Sequence, residues 1–89
     1  MTKRGKLEIM KDILKLIQEN KNSIKPTPLL RKSGLSSFRF KEYYVELIER
    51  KLIREIINAQ EKHVILTEKG FVFLDRYKAI ISFIDEFDL

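Results

Sequence analysis

The sequence predicts a mainly α-helical fold with one small β-hairpin, namely a winged helix-turn-helix with a three-helix core, a two-stranded wing and a long C-terminal helix. Two short helical patterns flank a glycine turn, two runs of branched residues then flank a polar tip, and an apolar helical pattern follows. We predict a winged helix-turn-helix domain at residues 1–66, with an arm at 1–6, a recognition helix at 37–51 and a wing at 52–67, followed by a dimerisation helix at 67–89.

Length and composition limit the classes of protein that fit. A chain of 89 residues with 44% hydrophobic residues is enough for one folded domain. The absence of cysteine excludes disulfides and cysteine-ligated zinc and agrees with a reducing compartment. No apolar run approaches the ~20 residues of a membrane span. We therefore expect a cytoplasmic protein with no membrane partner.

The positive charge lies in the body of the chain. The net charge is +5, and because residues 79–89 contain three acids and no Lys or Arg, they carry −3 and leave +8 on residues 1–78. A positive body with an acidic tail suits a polyanionic partner. The alternative is a solvated, lysine-rich surface of the kind found in heat-adapted proteins.

The first two helices are predicted from apolar spacing and from capping residues. The first helix is expected at 7–19, and the second begins with Thr27 as N-cap and Pro28 at its first position and ends at Gly34. Leu35 is expected to face inward from the turn. Six residues form the predicted core stripe of the first helix: Leu7, Ile9, Ile13, Leu14, Leu16 and Ile17.

The third helix is predicted at 37–51, with Ser36 as its N-cap. Its core face consists of Phe40, Tyr44, Leu47 and Ile48. Phe38 and Val45 lie off this face. Phe38 either packs on the first helix or the turn, or it contacts a thymine methyl group or a sugar in the major groove.

The wing is predicted from two runs of branched residues, at 52–57 and 63–67. The tip between them lacks the Asn-Gly or Gly-Gly sequence of a two-residue turn. We therefore expect a loop of three to five residues.

The last helix is predicted to begin after Thr67, its N-cap, and to run to about residue 87. Its apolar residues continue beyond the length that a small core covers, which indicates packing on a second copy. The alternative is that the helix folds back along the first helix. The predicted dimerisation residues are Phe73, Leu74, Tyr77, Ile80, Ile81, Ile84 and Phe87.

Three segments carry a family resemblance: KLEIMKDIL at 6–14, SGLSSFRFKEYYVELIERKLI at 33–53 and ILTEKGFVFLDRY at 65–77. The chain resembles the small archaeal winged-helix DNA-binding proteins of the ten-kilodalton nucleoid-associated type, which dimerise through a C-terminal coiled-coil helix. The resemblance implies a dimer that binds duplex DNA, either as an architectural protein or as a transcriptional regulator. It also implies a protein that is nucleoid-associated or lies in the cytoplasm of a virus-infected host.

Three departures from that family favour a specific regulator of archaeal, viral or plasmid type over a bulk chromatin protein. Ser37 stands where a Tyr is common, Lys51 stands where a Gly is common, and the final helix is shorter than in the nucleoid-associated members.

Residues that would contact DNA lie on three elements. Arg39 is the best candidate for a guanine, since its planar fork matches O6 and N7. Ser36 and Ser37 either bind a phosphate or only cap the helix. The full predicted set is Thr27, Arg31, Lys32, Ser36, Ser37, Phe38, Arg39, Lys41, Lys62 and His63, together with an arm that contains Lys3, Arg4 and Lys6. The alternative for the second-helix residues is solvated charge.

Enzymatic function is not predicted, because one His and no Cys leave no nucleophile–base pair and the chain has no phosphate-binding or metal-binding motif. The only histidine, His63, is expected at the surface and not as a metal ligand. We expect no cofactor, no metal and no small-molecule ligand. The leading function is a homodimeric, sequence-dependent double-stranded DNA-binding protein that regulates transcription. The alternatives are a protein–protein interaction module and a non-specific architectural chromatin protein.

Overall fold

The structure is a computed structural model that describes residues 5–89. Its elements follow one another as helix, helix, helix, hairpin and helix, which confirms the predicted fold class. They are α1 (Lys6–Glu19), α2 (Pro26–Ser33), α3 (Ser37–Glu49), β1 (Ile53–Asn58), β2 (Glu61–Leu66) and α4 (Glu68–Glu86).

Helix α1 supplies the largest share of the core. Ile9, Met10, Ile13, Leu14 and Ile17 are all buried on one face of the helix. The prediction was wrong at two positions. Successive residues of a helix are rotated by about 100°, which places Leu7 about a quarter-turn from the centre of this face. Leu7 therefore lies at the edge of the face and is 57% exposed. Met10 takes the core position instead.

Helix α2 begins two residues earlier than predicted. Lys25 is the N-cap, with extended backbone angles, and Pro26 occupies the first position, where its fixed φ suits a helix and its missing N–H costs nothing. Thr27 therefore lies inside the first turn and is not the cap. Gly34 ends the helix with φ 74°, as predicted, and the partly buried Leu35 packs against the core.

Helix α3 begins as predicted and ends two residues early. The Ser36 hydroxyl accepts a hydrogen bond from the Arg39 N–H at 3.2 Å, which confirms it as the N-cap. Phe40 and Leu47 are buried, and Tyr44 is partly buried against the core. Lys51 has φ 62°, a left-handed conformation that an α-helix cannot contain, so the helix ends before it.

The hairpin is tighter than predicted. Asn58 pairs with Glu61, so only Ala59 and Gln60 form the tip, and the expected loop of three to five residues was wrong. Both tip residues have positive φ, 54° and 65°, which is the backbone of a two-residue hairpin turn without its usual glycine.

The α1–α2 loop pairs with the outer edge of β2. Ile24 and Val64 exchange two backbone hydrogen bonds, of 3.2 and 2.7 Å. The Asn22 side-chain carbonyl accepts a third, from the Leu66 N–H at 2.9 Å. The wing is therefore joined at its base to the helical core.

Helix α4 packs on the core through its first half. The Thr67 hydroxyl accepts a hydrogen bond from the Gly70 N–H, as predicted for the N-cap. Phe73 and Leu74 pack against the core, and the Lys11 ammonium lies 5.5 Å from the centre of the Tyr77 ring. The rest of the helix extends away, which gives the molecule a long dimension of 49 Å. Within residues 5–89, none of the helices combines the length and the apolar character needed to cross a membrane.

Candidate nucleic-acid interface

The N-terminal half of α3 is exposed to solvent and carries two cations. Arg39 and Lys41 are both exposed, and the Arg39 guanidinium lies 5.9 Å from the centre of the Tyr43 ring. Ser37 is exposed in the first turn, where backbone N–H groups have no partner within a helix. This end of the helix is therefore open to an anion on its basic side.

Phe38 does not pack on the first helix or on the turn. Its side chain is 72% exposed, so that alternative was wrong. Its neighbour Phe40 is buried, because it points to the opposite side of the helix. An aromatic ring that is left this exposed is available for contact with another molecule.

The C-terminal half of α3 is acidic, since it contains Glu46 and Glu49. Glu46 forms ion pairs with Lys6 at 2.8 Å and with Arg50 at 2.7 Å. Hydrogen bonds from these two cations hold the pKa of Glu46 below its usual value. Lys6 is the first residue of α1 and forms an ion pair with Glu46, so it does not belong to a free arm. Lys3 and Arg4 lie outside the described residues.

A hydrogen-bonded bridge holds the wing to α3. The Tyr44 hydroxyl donates to the Glu55 carboxylate at 2.5 Å, and the Lys62 ammonium lies 3.6 Å from the same oxygen. Burial raises the pKa of Tyr44, and the hydrogen bond to Glu55 raises it further, so the hydroxyl remains protonated as a donor. Lys62 is thereby placed on the hairpin face that adjoins α3.

The base of α2 and the wing tip also adjoin each other. Lys25 forms an ion pair with Glu61 at 2.6 Å, and this cation lowers the pKa of Glu61. Lys25, Lys32 and His63 line one shallow depression between α2 and the hairpin. His63 is half-buried there, with Nδ1 3.3 Å from the Glu61 carbonyl oxygen.

The predicted α2 residues are all at the surface. Thr27, Arg31 and Lys32 are exposed, and Lys32 shares a second depression with Lys11 and Lys15 of α1. Lys11 and Lys15 were not predicted as neighbours of Lys32. Their spacing of four residues on the polar face of α1 was the available signal.

The predicted dimerisation residues fall into two groups. Phe73, Leu74, Tyr77 and Ile84 are partly buried, the first two against the hydrophobic core. Ile80, Ile81 and Phe87 are exposed. Val72 and Phe83, which were not predicted as dimerisation residues, are exposed as well, and the centres of the Phe83 and Phe87 rings lie 4.9 Å apart.

An apolar groove lies beside the exposed part of α4. It is formed by Leu7, Leu52, Val72, Phe73, Tyr77 and Ile80, with Lys69 and Arg76 also in its lining. The exposure of Leu7 is thus part of a continuous apolar surface. Within residues 5–89 no group of three or more His, Asp or Glu side chains has the arrangement of a metal site.

A three-helix core, an α3 whose basic end is exposed and a hairpin held beside it define a winged helix-turn-helix. The sequence matches the winged helix-turn-helix family over residues 3–85, so the chain belongs to that family. A search of curated proteins gave no match.

Three solved structures share this fold. Sso10a-2, described as a DNA-binding protein from Sulfolobus solfataricus, is 21% identical, with a TM-score of 0.75 over 94% of this chain and 85% of that chain. F93 from STIV, described as a winged-helix DNA-binding protein, is 22% identical, with a TM-score of 0.71 over 80% of this chain and 84% of that chain. SSV1 F-93 is 23% identical, with a TM-score of 0.64 over 88% of this chain and 91% of that chain. The resemblance expected from the sequence is confirmed at the level of the fold.

Proposed function

We propose that the protein is a homodimer that binds double-stranded DNA and regulates transcription, of the type found in archaea and their viruses. The observation that supports this most directly is the exposed basic end of α3 beside a wing that Tyr44 and Glu55 hold in place. Two of the three structural neighbours are described as DNA-binding proteins.

In this proposal α3 enters the major groove with residues 37–45. An α-helix fits the ~12 Å width of that groove. Arg39 and Lys41 flank the inserted face and reach phosphates on either side, and Lys62 contacts a phosphate from the wing. Thr27, Arg31 and Lys32 contact the DNA backbone from α2, as in other helix-turn-helix proteins whose first motif helix crosses the backbone. The last turn of α3, which contains Glu46 and Glu49, stays outside the groove.

The proposed dimer forms through α4 and the apolar groove. Val72, Ile80, Phe83 and Phe87, which we term the α4 stripe, lie on one side of the helix at spacings typical of a helix–helix contact. Each large apolar side chain that becomes buried contributes about 1.5–3 kcal/mol. Burial of this surface by a second copy of α4 is therefore strongly favourable.

The position of the apolar groove favours an antiparallel pair of α4 helices. The groove lies beside the first half of α4, whereas the exposed Phe87 lies at the end of the helix. An antiparallel pair brings the end of one copy to the groove of the other. Ile80 then lies near the two-fold axis, and Phe87 of one copy reaches the apolar groove of the other.

DNA binding is tested by the dependence of affinity on salt, measured by fluorescence anisotropy with a labelled duplex. If each protomer neutralises about four phosphates, log affinity against log salt has a slope near −7. Absence of binding at low salt contradicts the proposal. Arg39→Ala separates two roles: loss of about 1–3 kcal/mol at one guanine indicates a base contact, and equal loss on every sequence indicates a phosphate contact.

Dimerisation is tested by sedimentation of Ile80→Glu, with Ser82→Glu as the matched control on the opposite side of α4. The proposal expects a monomer for Ile80→Glu and an unchanged dimer for Ser82→Glu. A wild-type monomer at micromolar concentration, or a dimer that survives Ile80→Glu, contradicts the assignment of the α4 stripe.

The exposure of Phe38 and Val45 supports a second candidate, a protein–protein interaction module. In that case a stoichiometric protein partner is bound and DNA affinity shows no steep salt dependence. A third candidate, an architectural chromatin protein, gives the same salt slope as the regulator but equal affinity for all duplex sequences.

A further inference from the structure

The outermost face of α3 is not basic. Phe38, Glu42, Val45 and Glu49, which we term the outer line of α3, follow one another at spacings of four, three and four residues and lie on one side of the helix. Leu47, which is fully buried, is nine residues from Phe38, or about 2.5 turns, and so points in the opposite direction. The outer line is therefore the part of α3 farthest from the core.

Arg39 and Lys41 lie on either side of the outer line. Arg39 is one step of about 100° from Phe38 in one direction, and Lys41 is about 60° away in the other. Arg39 shares a depression with Lys6, Glu42, Tyr43 and Glu46, which places it on the side next to α1. Neither cation occupies the centre of the face that goes deepest into a groove.

The chemistry of the outer line suits only some base edges. Phe38 and Val45 have no polar groups, and the thymine C5-methyl is the apolar feature of the major groove. Glu42 is an acceptor, and the N4 amino group of cytosine is the donor that a carboxylate pairs with there. Guanine presents two acceptors in the same groove, which leave a carboxylate unpaired and desolvated.

We propose that α3 selects a pyrimidine-rich stretch on one DNA strand, with Phe38 and Val45 contacting thymine methyl groups and Glu42 accepting from the N4 amino group of a cytosine. This inference rests on the proposed function and assigns its base specificity. Arg39 and Lys41 then hold the two phosphate backbones on either side of the line. Glu49, about 16 Å from Phe38 along the helix axis, lies too far toward the C-terminal end to take part.

The first test selects bound duplexes from a random pool and then replaces each selected thymine by uracil, which lacks only the methyl group. For the wild-type protein, removal of one contacted methyl lowers affinity about fourfold. Phe38→Ala binds the thymine duplex more weakly than wild type and no longer distinguishes thymine from uracil at the position that Phe38 contacts. Because Phe38 is 72% exposed, this variant keeps its fold, which circular dichroism checks.

The second test changes the acceptor. A glutamine side chain pairs with adenine, so Glu42→Gln shifts the preference at one base pair from cytosine to adenine by about five- to 150-fold. Glu49→Gln is the matched control on the same line and leaves the selected sequence unchanged.

The outcomes separate this inference from the proposed function. Absence of salt-dependent binding to any duplex overturns both. Salt-dependent binding with no pyrimidine preference, no effect of uracil and no shift in Glu42→Gln overturns only the base assignment. A selected guanine whose recognition is lost in Arg39→Ala overturns the base assignment in favour of Arg39.

Discussion

Replacement of Gly70 by alanine tests how closely α4 approaches the start of the wing. In an open helix this change stabilises by up to about 1 kcal/mol, because glycine has more conformational freedom to lose. Here a Cβ at residue 70 would lie 2.3 Å from the Leu52 carbonyl oxygen and 3.4 Å from Cβ of Leu66. That oxygen accepts the Thr67 N–H at 3.1 Å, so it cannot retreat without weakening this bond.

Gly70→Ala is therefore expected to lower the free energy of unfolding instead of raising it. A steric cost of about 1–3 kcal/mol for overpacking and a weakened hydrogen bond of about 1 kcal/mol outweigh the helical gain, which leaves a net loss of about 1–3 kcal/mol. For a domain of this size each kcal/mol lowers the melting temperature by about 4–8 °C. Urea unfolding followed by circular dichroism measures the loss as a lower midpoint at unchanged slope.

Ser82→Ala is the control, since it places alanine at an exposed position of the same helix and is expected to change stability by less than about 0.5 kcal/mol. If Gly70→Ala is as stable as the wild-type protein or more stable, α4 does not approach Leu52 as closely as described, and the reasoning is refuted.

Three further changes test the wing and the ion pairs. Tyr44→Phe removes the hydroxyl that binds Glu55 and should cost about 1 kcal/mol in urea unfolding at this half-exposed site; no loss of stability or DNA affinity would mean that the wing is held in another way. Ala59→Asn with Gln60→Gly supplies residues that adopt positive φ readily and should stabilise by about 1 kcal/mol, and a lower melting temperature would contradict the two-residue tip. The pKa of Glu46 is lowered in the folded protein, so its ion pairs stabilise the fold at pH values above the ordinary pKa of 4.5, and this stability is lost as the pH falls through the pKa of the folded protein. Glu46→Gln should therefore flatten the plot of melting temperature against pH in that range. An unchanged profile would rule out this contribution.

The sequence was sufficient to predict those structural features that depend only on neighbouring residues. Ser36 and Thr67 were correctly predicted as N-caps, since a cap needs only a hydroxyl that accepts from an N–H three residues further along the chain. The start of α2 was placed wrongly because Pro26 and Pro28 both suit the first turn, and only the path of the preceding loop decides between them. The tip was placed wrongly because pairing of the two strands outweighs the cost of positive φ at Ala59.

The surface position of the candidate basic residues was predictable, but their arrangement was not. The basic residues of α2 and α3 were proposed from their places in the two helices, and they do lie at the surface. The pairings of Lys6 with Glu46 and of Lys25 with Glu61 join residues far apart in the chain, and no periodic pattern indicates them. These pairs decide which cations are free for a polyanion, and they require the folded geometry.

The bond between the α1–α2 loop and β2 has a consequence for solubility. A two-stranded hairpin has two open edges, and each is a template on which a strand from another molecule can add. Ile24 and Asn22 occupy the outward N–H groups of Val64 and Leu66, so the base of one edge is already closed. The other edge begins with the charged pair Arg54 and Glu55. The base of the β2 edge is thereby closed to strand addition, even though two exposed hydrophobic surfaces lie elsewhere on the same small protein.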